Sequence, residues 1–402
     1  MEKHASPAGQ NEVFIEVDHF QKSKAGNLAC GDTFMFQKLK EEGRIIGVLS
    51  DGLGSGIKAS VLSTMTATMA VNYTVMNENI LQTAQSIINT LPQDLAKKIS
   101  YSTFCIFDIG YRGDIKIIEY ETPAFCLFRN EKPVKVEKKR ISIEREDLKD
   151  SFLLISEFPL EKEDRLIFFT DGISQSGMGL PHFPAGWGEQ VEDYIADIIR
   201  RQPHISALDL SRKIVIQAEK NDQYSLKDDS SCCVVYRRIP RNILICTGPP
   251  FHENNDRYLA AKVSNFQGKK ILCGGTTASI ISRELNIPLK TGTEITDHEL
   301  PPVSQMEGID LVTEGILTLS KVTRLLSGES SGKTPVTPGP AEQIVNLLLN
   351  SDKITFIVGT RINIAHQDPN LPVELEIRRN VIRNIKYLLE TKYLKEVEIS
   401  YL

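Results

Sequence analysis

The chain lacks any long apolar run: nothing in its 402 residues approaches the length needed to cross a bilayer, and the opening MEKHASPAGQNEVFIEV holds no continuous hydrophobic segment of the kind that directs export. A cytoplasmic protein is expected. An excess of one charge is missing too. With a formal net charge of -5 and a pI near 5.9, no bulk electrostatic attraction draws the chain to nucleic acid or to an anionic membrane. Cysteine is sparse and odd in number: the seven run from Cys30 to Cys273, and Cys105, Cys126, Cys232 and Cys233 sit in or beside apolar strand-like runs. That excludes a disulfide framework and suggests reduced core residues. Cys246, Cys273, His252 and His298 show no C-x-x-C or H-x-x-x-H spacing, so no soft-metal site is supported. Internal repeats and biased tails are absent as well.

What is present is the composition of an ordinary globular protein, 41% hydrophobic and 25% charged, over a length that argues for two domains. From Asn11 to about Arg238, strand-like segments dominate: EVFIEVDHF, RIIGVLSDG, YSTFCIFDIG, IKIIEYET, AFCLFRN, FLLISEFPL, DRLIFFTDG and SSCCVVYRR. Helical spacing interrupts them at Ser55–Met76, Asn79–Lys98, Gly188–Arg201 and His204–Glu219. This order predicts an α+β domain over 1–240, with sheets packed on one another and helices outside. Beyond RRIPRN the pattern changes to short apolar strands alternating with helices, as in NILICTGPP, KKILCGGTTASIISRELN, GIDLVTEGILTLSKVTRLL and KITFIVGTRIN. A smaller α/β domain with a mainly parallel sheet is expected over 241–402, interrupted by a flexible Gly/Pro/Ser-rich loop at 327–341.

The segment SDGLGSGIKAS, Ser50–Ser60, joins an apolar strand to a helix through three spaced glycines. It is no dinucleotide fingerprint, because position 57 is Ile and the next carboxylate is Glu78; it is no P-loop, because Lys58 is separated from Gly56 by Ile57. SGESSGKTP fails likewise: the first glycine of a P-loop would fall on Ser327, the preceding KVTRLLS is helical, and Pro335 and Pro338 oppose a following helix. Taken alone, Asp51-Gly52 reads as a hairpin turn.

Three further features change that balance. CGDTF places Asp32 upstream of the Asp51 strand. RLIFFTDGISQS repeats the strand-then-Asp-Gly arrangement at Asp171-Gly172. LKDDSSCCVVYRR puts Asp228 and Asp229 immediately before another buried strand. Carboxylates gathered at one end of the sheets repel one another unless cations neutralise them, and a set made only of oxygen donors suits Mg²⁺ or Mn²⁺. Two such ions about 3.5–4 Å apart activate water and clamp an in-line displacement at phosphorus. Glycine after Asp51 would let a backbone carbonyl approach a metal.

Gly31-Asp32, SDGLGSGIKA, FFTDGISQ and KDDSS together resemble the metal-dependent type 2C serine/threonine protein phosphatases, and most closely their bacterial SpoIIE-type branch. The resemblance covers about the first 238 residues and implies the fold of that family, a β-sandwich flanked by helices. It implies two Mn²⁺ or Mg²⁺ ions, with Asp51 bridging both, Gly52 offering its carbonyl to one, and Asp171 and Asp228 completing the shell of the second. Asp32 would act through a water on the metal, and Asp229 would support the site. Thr103 and Pro123-Ala124 fall where family strands pass beneath the site and read as core. Eukaryotic members carry an N-terminal arginine that holds the substrate phosphate. None lies between Met1 and Asp32 here, and Lys22 and Lys24 read as a solvated loop, which leaves the phosphate to the metals.

The implied activity is hydrolysis of phosphoserine or phosphothreonine on a regulatory partner, commonly a STAS-type anti-anti-sigma factor. Switching through dimerisation, and so a homodimer, or through the helix attached to the Asp51 elbow is implied with it. Two other readings stand beside this one: a non-catalytic module that binds phosphoprotein, and a protein whose main function lies in a small-molecule site of the C-terminal domain. In that domain Gly274, Gly275, Thr276 and Thr277 join a strand to a helix as an anion-binding turn would, and ICTGPP and VTEGILTLS offer similar strand ends for a small effector.

Overall fold

A computed structural model of the chain describes residues 13–39, 41–76, 79–90, 93–94, 99–100, 102–110, 112–143, 152–292, 297, 299–328, 337–361, 372–393 and 395–402. The chain forms two compact units, Met1–Ile239 and Pro240–Leu402. His298 and residues 329–336, the centre of the expected flexible loop, lie outside the described residues.

The strands of unit 1 follow in the order β1 (Phe14–Lys22), β2 (Asp32–Leu39), β3 (Arg44–Gly52), the short pair β4 (Gln93–Asp94) and β5 (Ile99–Ser100), β6 (Ser102–Ile109), β7 (Asp114–Tyr120), β8 (Cys126–Arg129), β9 (Lys132–Val134), β10 (Lys139–Ser142), β11 (Phe152–Pro159), β12 (Asp164–Phe169) and β13 (Ser230–Arg238). One antiparallel sheet has the order β1-β13-β12-β8-β9 and the other β10-β11-β7-β6-β3-β2. Their facing sides share one core, in which Leu49, Phe107 and Ile117 meet Leu166, Phe168 and Val235. The rings of Phe107 and Phe168 stack across it at 5.1 Å. A β-carbon on Gly47 would fall 2.1 Å from Phe107, so glycine in the middle of β3 makes room for that ring.

The helices lie outside, as the strand order predicts. On one sheet, α1 (Ile57–Val75) and α2 (Ile80–Thr90) cover Val48, Phe104 and Ile118. On the other, α4 (Gln190–Arg201) and α5 (Ala207–Asn221) cover Ile167, Cys232 and Val234, while the one-turn α3 (Asp171–Ser174) follows β12. The expected helix Asn79–Lys98 is shorter: it ends at Thr90, and Gln93–Asp94 pairs with Ile99–Ser100. The sequence has Pro92 at that point, which disfavours helical backbone at the residue before it and removes an amide.

Unit 2 is built on β14 (Asn242–Thr247), β15 (Lys269–Cys273), β16 (Leu311–Thr313), β17 (Lys353–Val358) and β18 (Glu396–Tyr401). They form an all-parallel sheet of order β16-β15-β14-β17-β18. On one face lie α6 (Asp256–Asn265) and α7 (Gly275–Leu285); on the other lie α8 (Ile316–Ser327), α9 (Pro340–Leu349) and α10 (Pro372–Thr391). The expected parallel α/β arrangement is present, with α10 and β18 added beyond the segments whose pattern predicted it. No helix among the described residues is long and apolar enough to cross a membrane.

Candidate active site

The end of β3 and the start of β2 form one wall of the site. Asp32 stands opposite Asp51 in the antiparallel register, Thr103 of β6 flanks Asp51 on its other side, and Gly52 N–H donates to Gly31 O at 3.2 Å. The Ser102 hydroxyl donates to Asp51 O at 2.9 Å, which holds the strand end in place. From Gly52 the chain enters α1 through Gly54 and Gly56, both with positive φ (96° and 75°), where glycine avoids strain. The segment is therefore neither a phosphate cradle nor a hairpin; it turns a strand into a helix beside Asp51.

The second sheet supplies the other wall. β12 ends at Phe169, Thr170 caps α3, and Asp171 is the first helical residue. Ser231, at the start of β13, donates its N–H to Thr170 Oγ1 at 3.0 Å, and Thr170 in turn donates to Asp32 Oδ2 at 2.9 Å, so a buried threonine ties the two walls together. Sequence reading overlooked Thr170 and Ser231. Their signal lay inside FFTDG and KDDSS, where Thr170 directly precedes Asp171 and Ser231 follows Asp229 by two positions.

The electrostatics follow from this convergence. Asp51 is pushed up to about 10 by burial first, then by the charges of Asp32, Asp171 and Asp228, and it is in side-chain hydrogen-bond contact with Asp171. Burial raises Asp32 to about 7, against the pull of the Thr170 hydroxyl. Asp228 is raised by burial and by Asp171, and its Oδ1 accepts the Asp229 N–H at 2.9 Å. Asp229 is buried beneath Gly31, with Oδ1 accepting the Lys24 N–H at 2.8 Å. Asp32 Oδ1 and Asp229 Oδ2 are buried with no hydrogen-bond partner. Lys22 is turned to Glu219, with its Nζ 2.6 Å from Oε2.

Asp32, Asp51, Asp171, Asp228 and Asp229 are thus brought to one place. Among the described residues, no group of three or more histidine, cysteine, aspartate or glutamate side chains stands in a ready-made metal-holding arrangement; the aspartates form a looser cluster around the Asp51–Asp171 contact. Oxygen-only donors, mutual repulsion and two orphaned buried carboxylate oxygens fit hard divalent cations. The glycines have a further reason. A β-carbon on Gly52 would lie 2.1 Å from Ala59 O, and one on Gly172 would lie 2.0 Å from Asp229 O, so each Asp-Gly is packed against backbone.

In unit 2, Gly274 (φ 122°) follows β15 and caps α7; Gly275 is its first residue and is exposed, Thr276 is half-buried, and Thr277 is buried.

Residues 41–238 match the family described as Stage II sporulation protein E (SpoIIE). Among solved structures, the PP2C phosphatase domain with a fragment of the regulatory domain of SpoIIE from Bacillus subtilis is 17% identical. The match covers 56% of this chain and 64% of that one, with a TM-score of 0.46. The RsbU and RsbW domains of a Mycobacterium tuberculosis protein are 18% identical over 63% of this chain and 67% of that one (TM-score 0.46). RsbX in complex with magnesium is 19% identical over 57% and 98% (TM-score 0.38). No curated protein matches the chain.

Proposed function

Since residues 41–238 form a SpoIIE-type PP2C phosphatase domain followed by a further α/β region, we propose that the protein is a cytoplasmic, metal-dependent phosphatase that hydrolyses phosphoserine or phosphothreonine on a regulatory partner protein. The observation that carries this reading is the convergence of Asp32, Asp51, Asp171 and Asp228, which burial and mutual repulsion hold above the usual carboxylate range at Asp51, Asp32 and Asp228. Two Mn²⁺ or Mg²⁺ ions would neutralise them, polarise a phosphate and make water nucleophilic at neutral pH.

In this reading each residue of the chain has its own task. Asp51 and the Gly52 carbonyl would help hold the ions, and Asp171 and Asp228 would complete the set of oxygen donors. Asp32 is kept in place by Thr170 and holds a proton or an ordered water at the orphaned Oδ1. Asp229 anchors the Lys24 backbone and so shapes the rim over which a phosphorylated side chain enters. A STAS-type protein is the partner class that the SpoIIE-type motifs favour. The helix α1, tied to β2 by the Thr33–Ser63 hydroxyl contact at 2.8 Å, offers a lever on Asp51 for switching, alone or in a homodimer.

The test is release of phosphate from p-nitrophenyl phosphate and from a phosphoserine peptide with Mn²⁺, Mg²⁺ or chelator. Metal-dependent turnover that Asp51→Asn abolishes is expected. Turnover that survives both chelation and this substitution would overturn the reading, and cation binding by calorimetry without any turnover would favour a phosphoprotein-binding module instead.

A further inference from the structure

Unit 2 contains chemistry that the phosphatase reading leaves unused. A doubly wound sheet usually offers its ligand crevice outside the carboxyl ends of the two strands where the order reverses, here β14 and β17. That place is taken. A β-carbon on Gly359 would stand 2.2 Å from the carbonyl oxygens of Gly248 and Pro249, and Arg378 donates to Gly359 O at 3.4 Å.

The carboxyl ends of β15 and β16, one strand over, are built differently. Gly274 caps α7, and Gly315 caps α8. The two caps touch: Gly274 N–H donates to Thr313 O at 2.8 Å, and a β-carbon on Gly315 would lie 3.5 Å from Gly274 Cα. The first bonds within the helices run from Ala278 N to Gly274 O and from Leu319 N to Gly315 O. The amides of Gly275, Thr277, Ile316, Leu317 and Thr318 precede them and have no acceptor in their own helix. Two positive dipole ends therefore sit side by side, with no capping side chain on either.

A second, independent observation points to a ligand. Thr277 and Thr318 hold the same third position in their helices, both are 0% exposed, and neither hydroxyl has a hydrogen-bond partner. A buried unpaired hydroxyl costs about 1–3 kcal/mol. The Thr277 hydroxyl is aimed at the turn: it would lie 3.5 Å from a β-carbon on Gly274. Glu314, the residue before the Gly315 cap, has its Oε2 buried without a donor. The mouth is open, since Gly275 is exposed and nothing lies within 4 Å of where its β-carbon would be.

We propose that this turn pair binds a small organic anion that carries a neighbouring hydroxyl or ammonium group. The phosphate or carboxylate lies at the paired starts of α7 and α8 and accepts from the Thr277 hydroxyl; the neighbouring group donates to Glu314. Sequence reading named Gly274–Thr277 as an anion-binding turn and VTEGILTLS as a separate strand end; that Glu314-Gly315 and Thr318 stand beside the turn follows from the pairing of β15 with β16 in the sheet.

The experiment is calorimetric titration of the full chain with ribose 5-phosphate, L-glutamate and inorganic phosphate. At least one of the two organic anions is expected to bind saturably and more tightly than inorganic phosphate; which one it is identifies the donor as hydroxyl or ammonium. Gly275→Asp puts a like charge at the mouth, where there is room for a side chain and a helix start accepts an acidic residue, and should weaken binding roughly tenfold or more. Glu314→Gln should remove the advantage over inorganic phosphate. Thermal unfolding of the Gly275→Asp variant checks that it is folded. Absence of binding by both organic anions, or binding that a folded Gly275→Asp variant leaves unchanged, would overturn the proposal.

Discussion

Asp32 and Asp51 face each other directly across two antiparallel strands, β2 and β3, the first buried and the second half-buried, at a sheet end where Gly52 N–H donates to Gly31 O. Like charges opposite one another in a ladder destabilise it, and Asp171 and Asp228 add to the repulsion. Without divalent cations, Asp171→Asn should therefore raise stability at neutral pH by roughly 0.5–1 kcal/mol, or a few degrees of melting temperature for a unit of this size. With Mn²⁺ the order should reverse, because the cation stabilises the unaltered chain and not the variant. Thermal melts with chelator and with Mn²⁺ provide the check; a cation-free variant that melts lower than the parent would show that the hydrogen bonds of Asp171 outweigh the repulsion it adds.

The two Asp-Gly steps owe their glycines to close packing. Neither Gly52 nor Gly172 has positive φ, yet a β-carbon at either would strike a backbone carbonyl oxygen, of Ala59 or of Asp229, at 2.1 or 2.0 Å. Backbone cannot yield as a flexible side chain can, so Gly172→Ala should cost about 1–3 kcal/mol or more and displace the Asp228-Asp229 segment. Denaturant midpoints and metal-dependent turnover should both fall; a variant with unchanged midpoint and unchanged turnover would show that the segment relaxes freely.

These glycines also mark how far the sequence was legible. The apolar runs ending in Asp-Gly placed β3 and β12 and their terminal carboxylates, because a buried strand leaves few positions for a charge except its end. The sandwich and the parallel sheet followed from the order of strands and helices. What local pattern did not carry was contact between distant segments: Thr170 reaching Asp32, Gly172 against Asp229, and Gly274 against Gly315 are pairings between residues far apart in the chain. The same holds for β9 and β10, short edge segments with too few apolar residues to stand out. The shortened α2 was readable from Pro92, and the helical periodicity outweighed it in the expected span.

At the opposite end of β12 from Asp171, Asp164 is fully buried and accepts from Arg129 Nε and Nη2, each at 3.0 Å, and from Glu161 N–H at 2.7 Å. Arg129 is one-third exposed, so solvent shares its charge and the loss falls mainly on the hydrogen bonds to Asp164. Asp164→Ala should cost about 2–3 kcal/mol, seen as an earlier urea midpoint, while turnover per folded molecule stays level. A fall in turnover with the midpoint unmoved would show instead that this turn communicates with the cluster.

The cysteines offer a test of both cores at once. Cys105, Cys126, Cys232, Cys233, Cys246 and Cys273 are buried, and burial raises every one of these thiols, with Cys273 held at about 12. Only the thiolate attacks a disulfide reagent, so these six should stay unreactive in the folded protein at neutral pH. Cys30 is half-buried, and burial together with the nearby Asp32 raises its thiol to about 12, so it should react slowly. Titration with an aromatic disulfide should find at most this one thiol reacting in native buffer and all seven in guanidinium. Fast reaction of two or more in native buffer would mean that one of the cores opens on the timescale of the assay, and mass spectrometry of the labelled peptides would identify which.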